Sequence, residues 1–179
     1  MNAKLIRVAL LLALSPLALA DRQWLLEQST LTYSVSHPLH HAQGTSHAAH
    51  GQGVCHDGFC DFLIAVPVKS FDSGDSTRDL HMLRVTRGTQ FPMVTVHTRL
   101  REPTIPSGTI HADLEIQFAG QAVQYRQVPF QLLTQGGETK ISGTIPATLS
   151  DFHIKPPTLL TIPIKNAIPI RVETSWRSQ

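Results

Sequence analysis

Six of the ten histidines fall between residues 37 and 56: His37, His40, His41, His47, His50 and His56. Imidazole is a common transition-metal ligand, and its pKa near 6.5 leaves most of it neutral at pH 7. A His/Asp-rich stretch of this kind has the chemistry to hold Zn2+, Cu2+ or Ni2+. Spacing imposes conditions. His47 and His50 are three apart, so on a strand they point to opposite faces and cannot share an ion, whereas on a loop or helical turn they can. His37 and His41 are four apart, with Pro38 tolerated as the first residue of a helix. His40, His41, His47 and His50 are therefore the candidate metal ligands. The alternative is a solvated polar loop.

The two cysteines enclose a turn signal, Cys55-His56-Asp57-Gly58-Phe59-Cys60. Asp-Gly favours a two-residue hairpin whose central residues both need positive φ. With Asp57-Gly58 at the tip, His56 pairs with Phe59 and Cys55 lies opposite Cys60. That rung brings side chains close and suits a cross-strand disulfide. A redox pair is the rival, but C-x4-C is not C-x-x-C. Catalysis finds less support. Ser29, Ser34 and Ser36 lie near histidines, yet no G-x-S-x-G elbow, H-E-x-x-H or paired-carboxylate spacing accompanies them. The chain reads as a non-enzyme.

The elements that must position these residues are strands. Leu31, Tyr33 and Val35 alternate with polar residues, and Phe62, Ile64, Val66 and Val68 share a parity. Ile110 to Phe118 alternates throughout, as do Ile141 to Leu149, Leu160 to Ile164 and Ile168 to Val172. Period two marks half-buried strands. Turn signals separate them at Pro106-Ser107-Gly108, Gly120-Gln121, Gly136-Gly137 and Pro156-Pro157. About eight strands at hairpin spacing imply an antiparallel sheet, either two packed layers or one sheet closed on itself. A single helix is expected over 76–87, opened by the capping-box pattern Ser76-x-x-Asp79 and closed near Arg84 and Arg87, covering an opening or edge of the sheet.

The first twenty residues carry Lys4 and Arg7, an apolar run from Val8 to Leu14, and Ala18-Leu19-Ala20. This is the layout of a cleaved signal peptide, 1–20, leaving a single domain over 21–179 and predicting export to the periplasm. An oxidising compartment agrees with the cysteine hairpin. Without those residues the chain has 13 basic and 13 acidic side chains, which argues against non-specific nucleic-acid binding.

Several motifs together resemble the YceI-like family. Ser29-x-Leu31-x-Tyr33-x-Val35-x-His37 is similar to its opening strand, which places His37 as a structural histidine at the strand's end. Val66-Pro67-Val68-Lys69-Ser70-Phe71-Asp72-Ser73-Gly74 followed by Arg78-Asp79-Leu80-His81-Met82-Leu83 resembles the strand leading into an "R-D-x-H-L" helix. Phe91-Pro92-Met93-Val94-Thr95-Val96, Ile141-Ser142-Gly143 and Leu149-Ser150-Asp151-Phe152-His153-Ile154 resemble the following strand, the late glycine and the "D-F-G-I" stretch. The likeness runs from about Trp24 to Val172. Two features depart from it: His153 stands in place of a glycine, so a changed local turn is expected, and the histidine-rich, cysteine-bearing stretch from 37 to 60 is foreign to it.

The resemblance implies an all-β fold, an eight-stranded antiparallel lipocalin-like barrel whose apolar lumen holds a long isoprenoid such as a quinone or polyprenyl lipid. No cofactor is required by it beyond that bound lipid, and it leaves open a membrane partner and a homodimer. A polyprenyl tail lacks hydrogen-bonding groups, and burying it gains about 0.8 kcal/mol per CH2. At roughly 0.3 kcal/mol per heavy atom, forty carbons would give about −12 kcal/mol, or nanomolar affinity. The inward parity nominates Leu31, Tyr33, Val35, Phe62, Ile64, Val94, Val96, Leu114, Ile116, Phe118, Phe130, Ile162 and Ile164 as lining. From periodicity alone these residues could equally fill the barrel.

Overall fold

The computed structural model describes residues 22–102, 107–159 and 161–179, with His40 and Leu159 described by backbone only. The signal-peptide segment, Leu160 and Pro106 of the Pro106-Ser107-Gly108 turn lie outside the described residues.

The alternating stretches form strands β1 (Arg22–His37), β2 (His40–Ser46), β3 (His50–His56), β4 (Phe59–Pro67), β5 (Met93–Arg101), β6 (Ser107–Phe118), β7 (Gln121–Gln135), β8 (Glu138–Ile145), β9 (Thr158–Leu159), β10 (Ile162–Pro163) and β11 (Ile170–Ser178). Neighbours along the wall run β11-β8-β7-β6-β5-β4-β3-β1, and β1 pairs back onto β11 from Trp24↔Ser178 to Tyr33↔Ile170. Every pairing is antiparallel, so the wall is an eight-stranded closed barrel. Closure removes the sheet edges that an open form would expose.

One strand of that wall is broken. β2 pairs with Leu31–His37 of β1, and β3 pairs with Arg22–Leu25, leaving His47–Ala49 as an interruption between them. The wall curves further at a bulge, where register shifts between Ala112↔Val128 and Leu114↔Tyr125. Gln127 takes a positive φ there, and its backbone N–H donates to the Asp113 carboxylate at 2.8 Å.

Turn chemistry sets the hairpins. Asp57-Gly58 has φ of 51° and 76°, and Cys55 pairs with Cys60 across it in a disulfide, as the Asp-Gly spacing predicts. Ala119-Gly120 and Gly136-Gly137 also take positive φ at both positions. The first of these tips lies one residue earlier than the Gly120-Gln121 signal suggests.

The helix, α1, spans Ser76–Val85 and stops two residues short of the expected end. Its cap is also different. Asp75, not Ser76, caps it, accepting from the N–H groups of Thr77 and Arg78 at 2.9 and 3.1 Å. Asp79 instead accepts from Ser73 Oγ at 2.6 Å, fastening the preceding loop. Arg87 leaves the helix at φ 53°, with its guanidinium on the Ala119 carbonyl and over the Phe91 ring.

The C-terminal third departs most from the expected strands. β8 ends at Ile145 before Pro146, and Ala147 and Leu149 are buried in a turn instead. The 160–164 alternation makes no barrel strand. Leu159 pairs only with Ile162 in a two-residue hairpin, where Thr161 has φ 71° and Pro157 and Pro163 cannot donate to a longer ladder. The turn at Ser150–Phe152 and then this hairpin lie at the barrel end where β8 stops, before β11 resumes the wall. His153 takes φ 55°, ψ 28°. This is a left-handed conformation, which glycine adopts freely and histidine tolerates.

The packed core sits along one wall and one end. Ala112, Leu114, Ile116, Val128, Phe130 and Ile145 join Ala147, Leu149, Phe152, Ile154 and Ile168 in a single cluster. Phe118 and Phe152 meet edge-on at 5.2 Å. No helix among the described residues is long and apolar enough to cross a membrane.

Candidate ligand-binding cavity

The inward residues enclose a cavity of about 770 Å3, within the usual range for small-molecule sites. Leu31, Tyr33, Val35, Phe62, Ile64, Val94, Val96, Leu114, Ile116, Phe118, Phe130 and Ile164 all line it. Ile162 does not. It sits on the short β10 hairpin, 41% exposed, because the prolines and the Thr161 turn take this segment out of the wall. Sequence reasoning did not single out Leu100, Ile110, Ile141, Ile170, Val172 or Trp176 as lining, although the parity of their strands marks several of them.

Glycines hold the space open. Three inward aromatics each lie over a glycine directly opposite on the neighbouring strand: Tyr33 over Gly44, Phe62 over Gly53 and Phe130 over Gly143. A Cβ at any of these glycines would meet the ring at 2.4 to 2.5 Å. The rings therefore lie along the wall rather than projecting across the lumen. Farther down, Phe62 and Trp176 meet edge-on at 5.1 Å and form the floor, where a Cβ at Gly51 would reach the indole at 2.8 Å.

Three hydroxyls that line the cavity are engaged within the chain. Thr98 donates to the Asp113 carbonyl at 2.8 Å, Thr174 accepts from Trp176 Nε1 at 3.0 Å, and Thr86 donates to the Met82 carbonyl at 2.8 Å. The interior thus offers hydrocarbon. Burial raises the Tyr33 phenol above its ordinary pKa, with Asp79 adding to the effect, so the phenol stays neutral. Polar groups gather at the opposite end from the floor, where Asp75, Thr77, Arg78, His81 and Arg84 of the α1 region border the cavity. The arrangement suits a long apolar chain with its tail toward Trp176 and its polar end near α1.

A polar lock secures that end. Tyr125 Oη donates to Asp151 Oδ2 at 2.6 Å, and Thr148 N–H donates to the same oxygen at 2.9 Å. Burial alone would raise the Asp151 pKa, but these bonds outweigh it and hold the carboxyl below its usual range. Burial, then the bond to Asp151, push the Tyr125 phenol far up. No sequence signal identified this pair.

The histidines are dispersed. His37 is buried at the end of β1, borders the cavity and accepts from Leu39 N–H through Nδ1 at 3.2 Å. Pro38-Leu39 is a hairpin tip with His37 opposite His40, so the helical turn that would join His37 and His41 does not form. His41 bonds Ser36 at 3.1 Å, whereas His47 bonds the Ser29 carbonyl at 3.0 Å. Ser36 and Ser29 are seven residues apart on β1, more than 20 Å at roughly 3.3 Å per residue. His50 faces outward opposite Ala65, and His56 contacts Asp57 at 2.9 Å. Among the described residues the one cluster with metal-ligand spacing is Cys55, Cys60 and Glu102, whose cysteines are bonded to each other.

Neither a family model nor a curated protein matches the sequence. Solved structures do. One is a polyisoprenoid binding domain from Saccharophagus degradans implicated in plant cell wall breakdown, with a TM-score of 0.72 at 10% identity over 87% of this chain and 98% of that one. This is the lipocalin-like YceI fold. BcnA from Burkholderia cenocepacia shares it with a TM-score of 0.69 at 14% identity, over 82% of this chain and 95% of that one. At such low identity the YceI-like likeness rests on the course of the chain, which agrees with the motifs that suggested it.

Proposed function

We propose that this protein binds and carries a long apolar isoprenoid, a quinone or polyprenyl lipid, in the barrel lumen, and that it does so in the periplasm after export. The observation that carries the reading is the unfilled hydrocarbon cavity of about 770 Å3 inside a closed wall. A tail that makes no hydrogen bonds leaves no partner stranded as it passes Thr98, Thr174 and Thr86, whose hydroxyls are already bonded within the chain. The polyisoprenoid binding of the Saccharophagus domain with the same fold supports the ligand class. The leader-like first twenty residues and the cysteine hairpin support the compartment. The role is binding, with no chemical step assigned to any residue.

The test is solvent extraction of purified protein followed by mass spectrometry, together with titration of stripped protein with a quinone. A polyprenyl or quinone species in the extract and saturable binding are expected. Repeated absence of such a species, with no uptake of the quinone offered, would overturn the proposal.

A further inference from the structure

The barrel end that opens beside α1 differs from the other end in its charged side chains; apolar side chains protrude at both, Leu25, Val54, Phe59 and Leu133 toward the disulfide end. Leu39 at the β1–β2 tip is 62% exposed, Leu80 on α1 is 63% exposed, and Ile162 on the β10 hairpin is 41% exposed. None of the three lines the cavity. All three belong to segments at the mouth. The β1–β2 tip follows cavity-lining His37, α1 borders the cavity, and the chain leaving the β10 hairpin bonds Ser36 through Lys165 N–H.

Cations accompany them. Arg84 lies one turn from Leu80 on the same helix face, and Lys155 and Lys165 flank the hairpin carrying Ile162. All three are exposed, and no carboxylate pairs with them among the described residues. Elsewhere on the barrel the pattern reverses: Arg22 pairs with Glu102, Arg177 with Glu27, and Arg171 with Glu173. At the mouth the carboxylates Asp72, Asp75, Asp79 and Asp151 accept hydrogen bonds from neutral groups of the chain and keep their charge, but the cations Arg78, Arg84, Arg87, Lys155 and Lys165 outnumber them. Unpaired positive charge beside protruding aliphatic side chains matches the interface of an anionic phospholipid bilayer.

We propose that this rim seats the barrel on an anionic lipid surface, with Leu39, Leu80 and Ile162 entering the acyl boundary and Arg84, Lys155 and Lys165 meeting the headgroup phosphates. This rests on the carrier reading, since the docked mouth would face the phase from which an apolar tail is drawn. Charged groups near such a surface lose their attraction within a Debye length, so the contact is expected to be reversible and salt-sensitive.

The experiment is co-flotation of the mature protein with vesicles of phosphatidylglycerol and phosphatidylcholine in equal parts, against vesicles of phosphatidylcholine alone. Binding to the anionic vesicles should exceed binding to the neutral ones by about tenfold or more and fall steeply in molar salt. A Lys155→Gln/Lys165→Gln variant should bind at least tenfold more weakly, and Leu39→Ser/Leu80→Ser/Ile162→Ser should abolish flotation. Because these side chains are exposed, both variants should keep the parent unfolding temperature. Equal binding to both vesicle types, no binding, or flotation unchanged in both variants overturns the proposal. Quinone titration in detergent separates it from the carrier reading: a protein that takes up quinone but ignores vesicles sinks only the docking, and one that floats but takes up no quinone sinks only the carrier.

Discussion

The ring of Phe130 on β7 occupies the space that a side chain at residue 143 on β8 would need. A Cβ there would meet Phe130 Cδ1 at 2.5 Å and the Pro129 carbonyl at 2.9 Å. The same relationship joins Phe62 with Gly53 and Tyr33 with Gly44 on other strands. Each glycine lets a large ring lie along the wall, where it adds apolar surface without taking up lumen. The cavity is thus a product of particular cross-strand pairs as well as of barrel size.

Gly143→Ala should therefore impair both stability and binding. Overpacking at a close ring–backbone contact costs about 1–3 kcal/mol, and the displaced ring has only the lumen to enter. At roughly 2–4 °C per kcal/mol for a chain of this size, the loss should be visible in thermal unfolding. Quinone affinity should fall at least tenfold. Adding Phe130→Leu should restore much of the affinity by removing the ring, although the Pro129 contact persists. Unchanged affinity in Gly143→Ala would show that Phe130 does not border the occupied space.

Val96→Phe examines the same lumen from the other side. Val96 is half-buried, lines the cavity and pairs with Ile64 and Ile116, both of which also line it. In a filled core the added ring would cost about 1–3 kcal/mol. In an open lumen it should leave the unfolding temperature within about 2 °C of the parent, less than 1 kcal/mol of change, while lowering quinone affinity at least tenfold. Large destabilisation with unaltered binding would mean that the site around Val96 is packed solid.

Much of the barrel wall was legible because β1, β4, β6, β8 and β11 alternate, and the Asp57-Gly58 tip fixed the pairing of Cys55 with Cys60; β2 and β3, rich in histidine and glycine, carry no such apolar pattern. Ile162 shows where that legibility ends. Its alternation with Ile164 looks like strand, yet four prolines between residues 156 and 169 deny the segment a ladder, and tertiary packing turns it into a cover. The unfilled lumen was not readable from periodicity, because a lining residue and a core residue share one parity. The glycine–aromatic pairs decide between them, and these require the register. The histidines illustrate the converse: clustering in sequence put them on successive strand rungs, which carries them apart in space.

Acid should loosen the mouth through Asp151. Its folded-state pKa lies below the ordinary 3.8, so its bonds contribute stability above that value and are lost as pH falls through the lower folded pKa. Tyr125 acts at the other extreme. Its folded pKa is raised above 10.0, so its contribution is complete below pH 10 and is lost as pH rises from there toward the folded value. Tyr125→Phe should lower stability at pH 7 by about 1.5–3 kcal/mol, the worth of a hydrogen bond to a charged group. It should also flatten both limbs of the pH–stability curve. A variant curve parallel to the parent's at both ends would show that the pair carries no pH dependence.

The disulfide lies at the end away from α1, beyond the floor made by Phe62 and Trp176, which separates its effects from those of the mouth. Closing so short a loop restricts the unfolded chain by about 2 kcal/mol in the chain-entropy account. Cys55→Ala/Cys60→Ala should therefore lower the unfolding temperature by roughly 4–8 °C. Cys60 and Cys55 are buried, so replacing both sulfurs adds a small packing loss to that figure. Quinone affinity should stay within about twofold of the parent, because neither cysteine lines the cavity. Thermal unfolding of the variant, alongside the parent with and without reductant, measures the first effect, and quinone titration measures the second. A large loss of affinity would mean that the hairpin holds the floor in place, since Gly53, two residues before Cys55, packs against the Phe62 ring.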